Sequence, residues 1–221
     1  MTTVTRRQVG VLPDAEAVFR RAATFVAERV RACVGERGAF SLALSGGRVR
    51  PMLELVDAED VPWEAVTVFQ VDERVAPRGH EERNLTQIEA ALTHARIVPM
   101  PVEDKDLGAA ALRYADLLPD RLDLVHLGLG PDGHTASLVP NCGALHVRDR
   151  DVAISREYSG RRRMTLTYPA IDRAREALWV VTGQDKAEAL AQLLSGDEEI
   201  PAARVRTPVQ TVLTDIPVTY P

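Results

Sequence analysis

A histidine stands directly after a glycine-rich loop in the segment LGLGPDGHTASLVP. Histidine is the side chain best suited to proton transfer near neutral pH, so His134 is a candidate general base. Asp132 lies two residues earlier and could orient the imidazole ring. The segment follows an apolar strand, and its glycines would let the backbone turn tightly. We therefore expect His134 at the mouth of a sheet, near the N-terminus of a short helix.

The glycines of this loop, Gly128, Gly130 and Gly133, also spell the G-x-G-x-x-G pattern of dinucleotide binding. That pattern needs a sizeable helix whose N-terminus faces the pyrophosphate. Pro140 comes only seven residues after Gly133 and would limit such a helix to about two turns. A tight loop that presents His134 is therefore the favoured interpretation, and dinucleotide binding is the weaker one.

Several cationic side chains are candidates for binding an anionic substrate. Lys186 falls in the first turn of a predicted helix, where its charge opposes the helix dipole, and a bound anion would explain its position. Arg163 opens a predicted strand and could bind an anion in bidentate fashion. Arg74 closes another strand, and its partner could be an oxyanion or a phosphate group. A solvated surface charge is the alternative for each of them.

Two further strand ends carry candidate residues. Ser45, Gly46 and Gly47 end an apolar strand before a predicted helix, so backbone N–H groups could bind an anion there. Asp72 lies at the end of the next predicted strand and could hold substrate hydroxyl groups or orient another side chain. The candidate residues thus gather where predicted strands end.

The hydrophobic pattern predicts the elements that position these residues. Helices are predicted over residues 14–33, 51–56, 84–92, 107–118 and 185–194. Strands are predicted over residues 39–47, 65–74, 121–130 and 177–183, with shorter ones at DVAIS and RMTLTYP.

Several strands are continuous apolar runs, which is typical of a parallel sheet covered on both faces. Strands alternate with helices, and this order predicts a three-layer α/β fold with a mainly parallel sheet. No repeat, linker or low-complexity tract divides the chain, so we expect one domain over residues 1–221. Ligands of such folds bind at the carboxyl ends of the strands.

Composition and charge argue against several classes of function. The chain has 221 residues and a formal net charge of −5, so no basic field favours nucleic acid as a partner. Its two cysteines, Cys33 and Cys142, lack metal-site or redox spacing, and a reduced, cytoplasmic setting is expected. The N-terminal segment has no long apolar run, so neither a signal peptide nor membrane association is expected.

The segment DLVHLGLGPDGHTASLVP closely resembles the signature of 6-phosphogluconolactonases, which is roughly DLVLLGMGPDGHTASLFP. Three further blocks resemble family patterns in the same order and spacing: FQVDERVAPRGHEERNLTQIEAAL, RRRMTLTYPAID and LWVVTGQDKAEAL. The resemblance covers about residues 41–205. It implies a Rossmann-like sheet, similar to that of glucosamine-6-phosphate deaminases and ribose-5-phosphate isomerases.

The resemblance also implies an activity, namely hydrolysis of 6-phosphogluconolactone to 6-phosphogluconate in the oxidative pentose phosphate pathway. The general base of the family corresponds to His134, and the D-E-R block places Asp72, Glu73 and Arg74 at the edge of the site. Asp132 and Gly133 are predicted to contact the substrate from the same loop as His134. No cofactor and no catalytic metal are implied. The expected partner is a phosphorylated sugar lactone, bound by a monomer or a small homo-oligomer.

The sequence departs from the family at the expected phosphate loop. The family has S-G-G-S-T-P after the first strand, whereas Arg48, Val49 and Arg50 follow the glycines here. The hydroxyl groups of a phosphate cradle are absent, so Arg48 or Arg50 is predicted to bind the phosphate by charge. Alternatively, the phosphate site has changed and the substrate with it. Arg83 also replaces the serine that usually precedes Asn84.

Two alternative functions stay open. A non-catalytic or substrate-shifted sugar-phosphate-binding relative would explain the altered loop, but such a protein need not keep His134 or the D-E-R block. A sugar-phosphate deaminase or isomerase is less favoured. Deaminases continue after the histidine with an Asn-Glu pair that HTASLVP lacks.

Overall fold

The computed structural model describes residues 5–47 and 49–218, and strands alternate with helices along this part of the chain. The strands are β1 Arg6–Val11, β2 Phe40–Leu44, β3 Val66–Gln70, β4 Asp72–Arg74, β5 Arg96–Val98, β6 Leu124–Leu127, β7 Val152–Tyr158, β8 Arg161–Leu166, β9 Glu176–Val181 and β10 Val209–Thr214. The α-helices are α1 Ala15–Arg37, α2 Arg50–Asp57, α3 Asn84–Ala91, α4 Leu107–Ala115, α5 Tyr168–Arg173 and α6 Ala187–Ser195. None of the described helices combines the length and the apolar composition that a membrane span requires.

Helix α1 shows how local sequence sets the ends of an element. The Asp14 carboxylate accepts a hydrogen bond from the Ala17 N–H at 2.8 Å, as an N-cap residue does. Gly38 ends the helix with a φ of 77°, a left-handed conformation that favours glycine. The helix predicted over residues 14–33 is therefore confirmed, and it continues to Arg37.

Seven strands form one parallel sheet in the order β1-β10-β9-β6-β2-β3-β5. Helices α1, α2 and α3 pack on one face, in a core that includes Val26, Leu53 and Ile88. Helices α4, α5 and α6 pack on the other face, in a core that includes Tyr114 and Leu190. The predicted three-layer α/β fold with a mainly parallel sheet is confirmed.

The order of the strands places a crevice at the carboxyl ends of β6 and β2. The chain passes from β2 to β3 on one side, whereas β6 and β9 lie on the other side of β2. Connections that leave neighbouring strands in opposite directions open a crevice between them. The loops that follow β2, β3, β6 and β9 meet at this edge of the sheet, where the candidate residues are expected.

One predicted strand is divided between two sheets. The prediction of a single strand over residues 65–74 is wrong, since β3 ends at Gln70 and β4 pairs antiparallel with β8 in a separate sheet with β7. Val71 is the crossing point. Its N–H donates to Leu44 O in the main sheet at 2.9 Å, and its C=O accepts from Leu166 N–H of the small sheet at 2.7 Å.

A buried carboxylate joins the small sheet to the main one. The Glu73 side chain has no exposed surface, and its two oxygens accept hydrogen bonds from four donors at 2.7–2.8 Å. The donors are the backbone N–H groups of Arg74, Asn84 and Leu85 and the Nε2 amide of Gln70. Glu73 therefore caps α3 from a neighbouring strand and also fixes the end of β3.

Arg83 supplies the counter-charge of this carboxylate. Its Nε lies 3.0 Å from Glu73 Oε2, and its side chain is only 2% exposed. Its Nη1 donates to Ala76 O at 2.9 Å. Removing one partner of a buried ion pair leaves an uncompensated charge in the interior, so the pair is costly to break.

We predict that Arg83→Met lowers the free energy of unfolding by about 3–5 kcal/mol, because the Glu73 carboxylate then stays buried without its counter-charge. The matched control is Arg20→Met, which removes an arginine from an exposed pair with Glu16 and costs about 0.5 kcal/mol or less. Urea unfolding followed by circular dichroism measures both variants. Equal losses in the two would contradict the role given to Arg83.

Candidate active site

A cavity of about 300 Å³ opens at the carboxyl edge of the main sheet, a size suited to a small molecule. The loops after β2, β3, β6 and β9 form most of its wall. The lining residues are Phe19, Ser45, Gly46, Gly47, Val49, Asp72, Arg74, Asn84, Gly128, Leu129, Gly130, Pro131, His134, Ala136, Arg163, Val180, Thr182, Asp185 and Lys186. Most of the candidate residues predicted from the sequence therefore share one cavity. Glu73, Asp132 and Gly133 do not line it: Glu73 lies in the interior and not at the edge of the site, and substrate contact by Asp132 and Gly133 stays a prediction.

His134 lies in a tight loop and not beside a helix N-terminus. The Gly130 N–H donates to His134 O at 2.9 Å, and the Gly133 N–H donates to Gly130 O at 3.0 Å. These bonds close the chain on itself, and no α-helix begins in the described chain between β6 and β7. The expectation of a short helix next to His134 is wrong. The helix that dinucleotide binding requires is not formed here either.

Close contacts explain two of the glycines in this loop. A Cβ added at Gly130 would lie 2.1 Å from His134 Nδ1 and 2.8 Å from Asp132 Oδ1. Gly133 has a φ of 76°, and a Cβ there would lie 2.4 Å from Ile200 Cβ. Glycine at these positions therefore lets the loop backbone approach the His134 ring and the segment around Ile200.

Asp132 and His134 form a hydrogen-bonded pair, with Asp132 Oδ1 2.5 Å from His134 Nδ1. Burial raises the pKa of Asp132, but the hydrogen bonds from His134 and Tyr158 together lower it by more than burial raises it. The pKa of Asp132 therefore lies below its usual value. A carboxylate can only accept, so Nδ1 carries the proton and Nε2 is left as a base. The pair can therefore take a proton from a molecule in the cavity.

Asp72 is fixed by hydrogen bonds from two other parts of the chain. Its Oδ2 accepts from the Ser137 hydroxyl at 2.6 Å, and its Oδ1 accepts from Asn84 Nδ2 at 3.1 Å. The same Asn84 amide donates to Asp72 O at 2.9 Å. Asp72 is 5% exposed and lines the cavity, so its carboxylate can accept a hydrogen bond from a ligand hydroxyl.

Arg74 and Arg163 face each other across the antiparallel strands β4 and β8, and both line the cavity. Like charges opposite each other on paired strands are destabilising. The Nε atoms of both side chains are buried and have no hydrogen-bond partner in the protein. Burial lowers the pKa of Arg163, and the Asp72 carboxylate opposes this effect. The two arginines form a local cationic site that an anion can neutralise.

The loop after β2 is held close to the wall of the cavity. The Ser45 N–H points at His126 Nδ1 at 3.4 Å, and the Ser45 hydroxyl donates to His126 O at 3.0 Å. A Cβ at Gly46 would lie 2.0 Å from Asn84 Oδ1, so only glycine fits there. Gly47 adopts a φ of 92°. The three predicted residues of this loop all reach the cavity.

The remaining predicted cations are distributed differently. Lys186 lines the cavity from the 3-10 turn Gln184–Lys186, directly before α6 and not inside it. Arg50 is not among the lining residues, and its Nε lies 2.7 Å from Glu54 Oε1 on an exposed side of α2. Arg48 lies outside the described residues. Phosphate binding by Arg48 or Arg50 stays a prediction.

Three side chains near the site are not identified by the sequence analysis. Tyr158 donates its hydroxyl to Asp132 Oδ2 at 3.1 Å, Ser137 bonds to Asp72, and His126 lies beneath Ser45. Ser137 has a sequence signal, since it belongs to the same conspicuous segment as the candidate histidine. His126 lies in the same segment, where the family signature has leucine, whereas Tyr158 has no sequence signal. Among the described residues, no cluster of three or more His, Cys, Asp or Glu side chains could hold a metal ion.

Comparison with known proteins gives consistent relatives. The family model described as glucosamine-6-phosphate isomerases/6-phosphogluconolactonase matches residues 13–214. A Nostoc protein named 6-phosphogluconolactonase is 33% identical over 207 residues, which cover 86% of this chain and 86% of that protein. A human protein of the same name is 32% identical over an alignment of 223 positions, and this alignment covers 90% of this chain and 86% of that protein.

Solved structures share the fold. The crystal structure of a 6-phosphogluconolactonase from Shewanella baltica has a TM-score of 0.84 at 24% identity and covers 97% of this chain and 99% of its own. A monomeric glucosamine-6-phosphate deaminase has a TM-score of 0.80 at 18% identity and covers 95% of this chain and 97% of its own. At these identities the likeness concerns the fold alone.

We predict that Gly130→Ala separates Asp132 from His134, because the new Cβ would lie 2.1 Å from His134 Nδ1. Overpacking of this kind costs about 1–3 kcal/mol of unfolding free energy. Gly128→Ala is the matched control, since no heavy atom lies within 4 Å of a Cβ at that position. Thermal unfolding and NMR of the His134 ring measure both effects. Unchanged ring signals in Gly130→Ala would contradict the contact.

We also predict a pH-dependent stability that originates at His126. Burial lowers the pKa of His126 from 6.5 to about 4, so the folded protein holds the neutral ring. The unfolded chain binds a proton below pH 6.5, and the folded protein loses stability as the pH falls towards 4, by about 3 kcal/mol in total. His126→Leu removes this component. The free energy of unfolding, measured with urea at several pH values between 6.5 and 4, should therefore fall less with decreasing pH in the variant than in the wild type. An equal fall in both proteins would refute the assignment to His126.

Proposed function

Because the chain belongs to the family of glucosamine-6-phosphate isomerases and 6-phosphogluconolactonases, we propose that it hydrolyses 6-phosphogluconolactone to 6-phosphogluconate. The reaction is a step of the oxidative pentose phosphate pathway, and the protein is proposed to act in the cytoplasm. One observation carries the proposal. His134, which is hydrogen-bonded to Asp132, and two facing arginines line one cavity at the carboxyl edge of the sheet.

In this proposal His134 is the general base. Its Nδ1–H donates to Asp132, and its Nε2 removes a proton from water as the water oxygen attacks the lactone carbonyl carbon. The tetrahedral intermediate collapses when the bond between that carbon and the ring oxygen breaks. The ring oxygen then receives the proton from His134, and the product acid ionises. Asp132 stabilises the imidazolium that exists between the two proton transfers.

The phosphate group is assigned to Arg74 and Arg163. The phosphate group of the substrate carries up to two negative charges throughout the reaction, whereas the oxyanion of the intermediate carries one negative charge for a short time. Two arginines on facing positions match the permanent charge, and their buried Nε atoms lack a protein partner. Lys186 lines the same cavity and adds positive charge from the loop after β9. Asp72 accepts hydrogen bonds from the sugar hydroxyl groups.

The distances fit a single sugar phosphate. The Tyr158 ring lies 5.2 Å from the His134 ring, between centroids, and 5.1 Å from Arg163 Cζ. The centre of the His134 ring and Arg163 Cζ are therefore at most about 10 Å apart. One bound sugar phosphate can span this separation between its carbonyl carbon and its phosphate.

A deaminase or isomerase reaction is less well supported. Thr135, Ala136 and Ser137 follow His134 and provide no carboxylate that could assist its proton transfer. A non-catalytic sugar-phosphate binder would need no base, yet His134 lines the cavity with its Nδ1 fixed. These observations favour lactone hydrolysis over both alternatives.

We predict that the protein opens 6-phosphogluconolactone faster than the spontaneous reaction, and that His134→Ala lowers kcat by at least about 100-fold because the base is lost. Acid release in weakly buffered indicator solution measures the rate, with spontaneous opening subtracted. His146→Ala is the matched control, since His146 is exposed and does not line the cavity. The KM for unphosphorylated gluconolactone should be higher than the KM for the phosphorylated lactone, because Arg74 and Arg163 then have no phosphate to bind.

Three results would count against the proposal. A wild-type protein that binds 6-phosphogluconate without accelerating hydrolysis would be a non-catalytic binder. Full activity of His134→Ala would exclude His134 as the base. Equal kinetics on the phosphorylated and unphosphorylated lactones would refute the phosphate site at Arg74 and Arg163.

A further inference from the structure

We propose that Tyr158 is a positioning residue that holds the Asp132–His134 pair in the geometry needed for proton transfer. Its hydroxyl donates to Asp132 Oδ2 at 3.1 Å, while Oδ1 of the same carboxylate contacts His134 Nδ1. The Tyr158 ring also meets the imidazole edge to face, at 5.2 Å between centroids and 61° between planes. One side chain therefore touches both members of the pair.

Tyr158 acts through the pair and not on the substrate. It is not among the residues that line the cavity, whereas His134 is. A carboxylate held only by His134 could rotate about its side-chain bonds and carry the ring with it. The hydrogen bond from Tyr158 occupies the second oxygen and fixes the plane of the carboxylate.

The β7–β8 hairpin brings Tyr158 to this position. Ser159 and Gly160 form its two-residue turn with φ values of 51° and 76°, the left-handed pattern of a type I′ turn. The strand register shifts between Ser155 and Tyr158, and irregularities of this kind re-aim side chains near functional sites. The hairpin tip is thereby built to direct one aromatic ring towards the loop of His134.

Arg163 supports the same ring from the hairpin. Its Cζ lies 5.1 Å from the Tyr158 ring centroid, and its Nη2 donates to Tyr158 O at 3.2 Å. Arg163 also lines the cavity. Tyr158 therefore connects the cation assigned to the phosphate with the pair assigned to proton transfer.

The charges around Tyr158 keep it a donor. Burial and the Asp132 carboxylate raise the pKa of Tyr158, and the nearby Arg163 and Arg156 guanidinium groups lower it by less. The hydroxyl therefore stays protonated and donates to Asp132. Its loss, with the ring retained, should loosen the hydrogen bond between Asp132 and His134, an effect that simple packing would not produce.

The inference rests on the proposed lactone hydrolysis, and Tyr158→Phe tests it by keeping the ring and removing the hydroxyl. We expect kcat to fall about fivefold, because the Asp132–His134 pair is no longer held in the geometry for proton transfer, with KM changed by less than about twofold. A raised KM with unchanged kcat would overturn the proposal, because Tyr158 would then contact the substrate.

A second readout needs no catalysis. The proton between His134 Nδ1 and Asp132, followed by NMR without substrate, should exchange with water faster in Tyr158→Phe than in the wild type, because the carboxylate that holds it is no longer fixed. Tyr168→Phe is the matched control, since it also removes one phenol hydroxyl. That hydroxyl donates to Pro201 O at 2.8 Å, and Tyr168 does not line the cavity. This control should leave the exchange rate unchanged.

The two readouts separate the two proposals. A wild-type protein without lactone hydrolysis would refute the proposed function, and the NMR exchange measurement would still decide the role of Tyr158. Identical exchange rates of the proton between His134 and Asp132 in the wild type and Tyr158→Phe would overturn the positioning role, even in an active enzyme.

Discussion

The geometry of the site depends on the buried carboxylate of Glu73. Side chains alternate along β4, so Glu73 enters the interior while Asp72 and Arg74 face the cavity. A buried carboxylate must satisfy its oxygens and its charge. Glu73 does so with backbone N–H groups at the start of α3 and with the guanidinium of Arg83. These bonds fix Asn84, which in turn fixes Asp72. One internal charge thereby orders two walls of the cavity.

The distribution of charge explains how an acidic protein can attract an anion. The net charge of −5 repels anions at long range, but Arg74 and Arg163 concentrate positive charge at the carboxyl edge of the sheet. Strand pairing alone would not favour two arginines at facing positions. Their facing positions lower the stability of the small sheet but allow both guanidinium groups to bind one anion, and such local costs are common at functional sites. Tyr158 contacts one of these arginines and the Asp132–His134 pair.

The hydrophobic pattern predicts most of the interior of the fold. Helix α1 is correctly predicted because its apolar residues recur at helical spacing, and the central strands β2, β6 and β9 because continuous apolar runs identify buried strands. The edge strands β1 and β5 were not predicted, and neither was β10, next to β1. β5 has only three residues, and β1 alternates exposed with partly buried positions, so neither gives a strong signal. The run over residues 65–74 looks like one strand because its change of sheet at Val71 depends on hydrogen bonds to distant residues.

The class of fold and the segment that carries the candidate base can be predicted from the amino-acid pattern alone. The tight loop around His134 follows from its glycines, whose conformational freedom is a local property. The set of cations that share the cavity depends on the folded chain, which brings Arg163 there and leaves Arg50 on an exposed helix face. The contact between Tyr158 and Asp132 depends on it as well. Short-range sterics fix backbone conformation, whereas contacts between residues far apart in the chain depend on how the whole core packs.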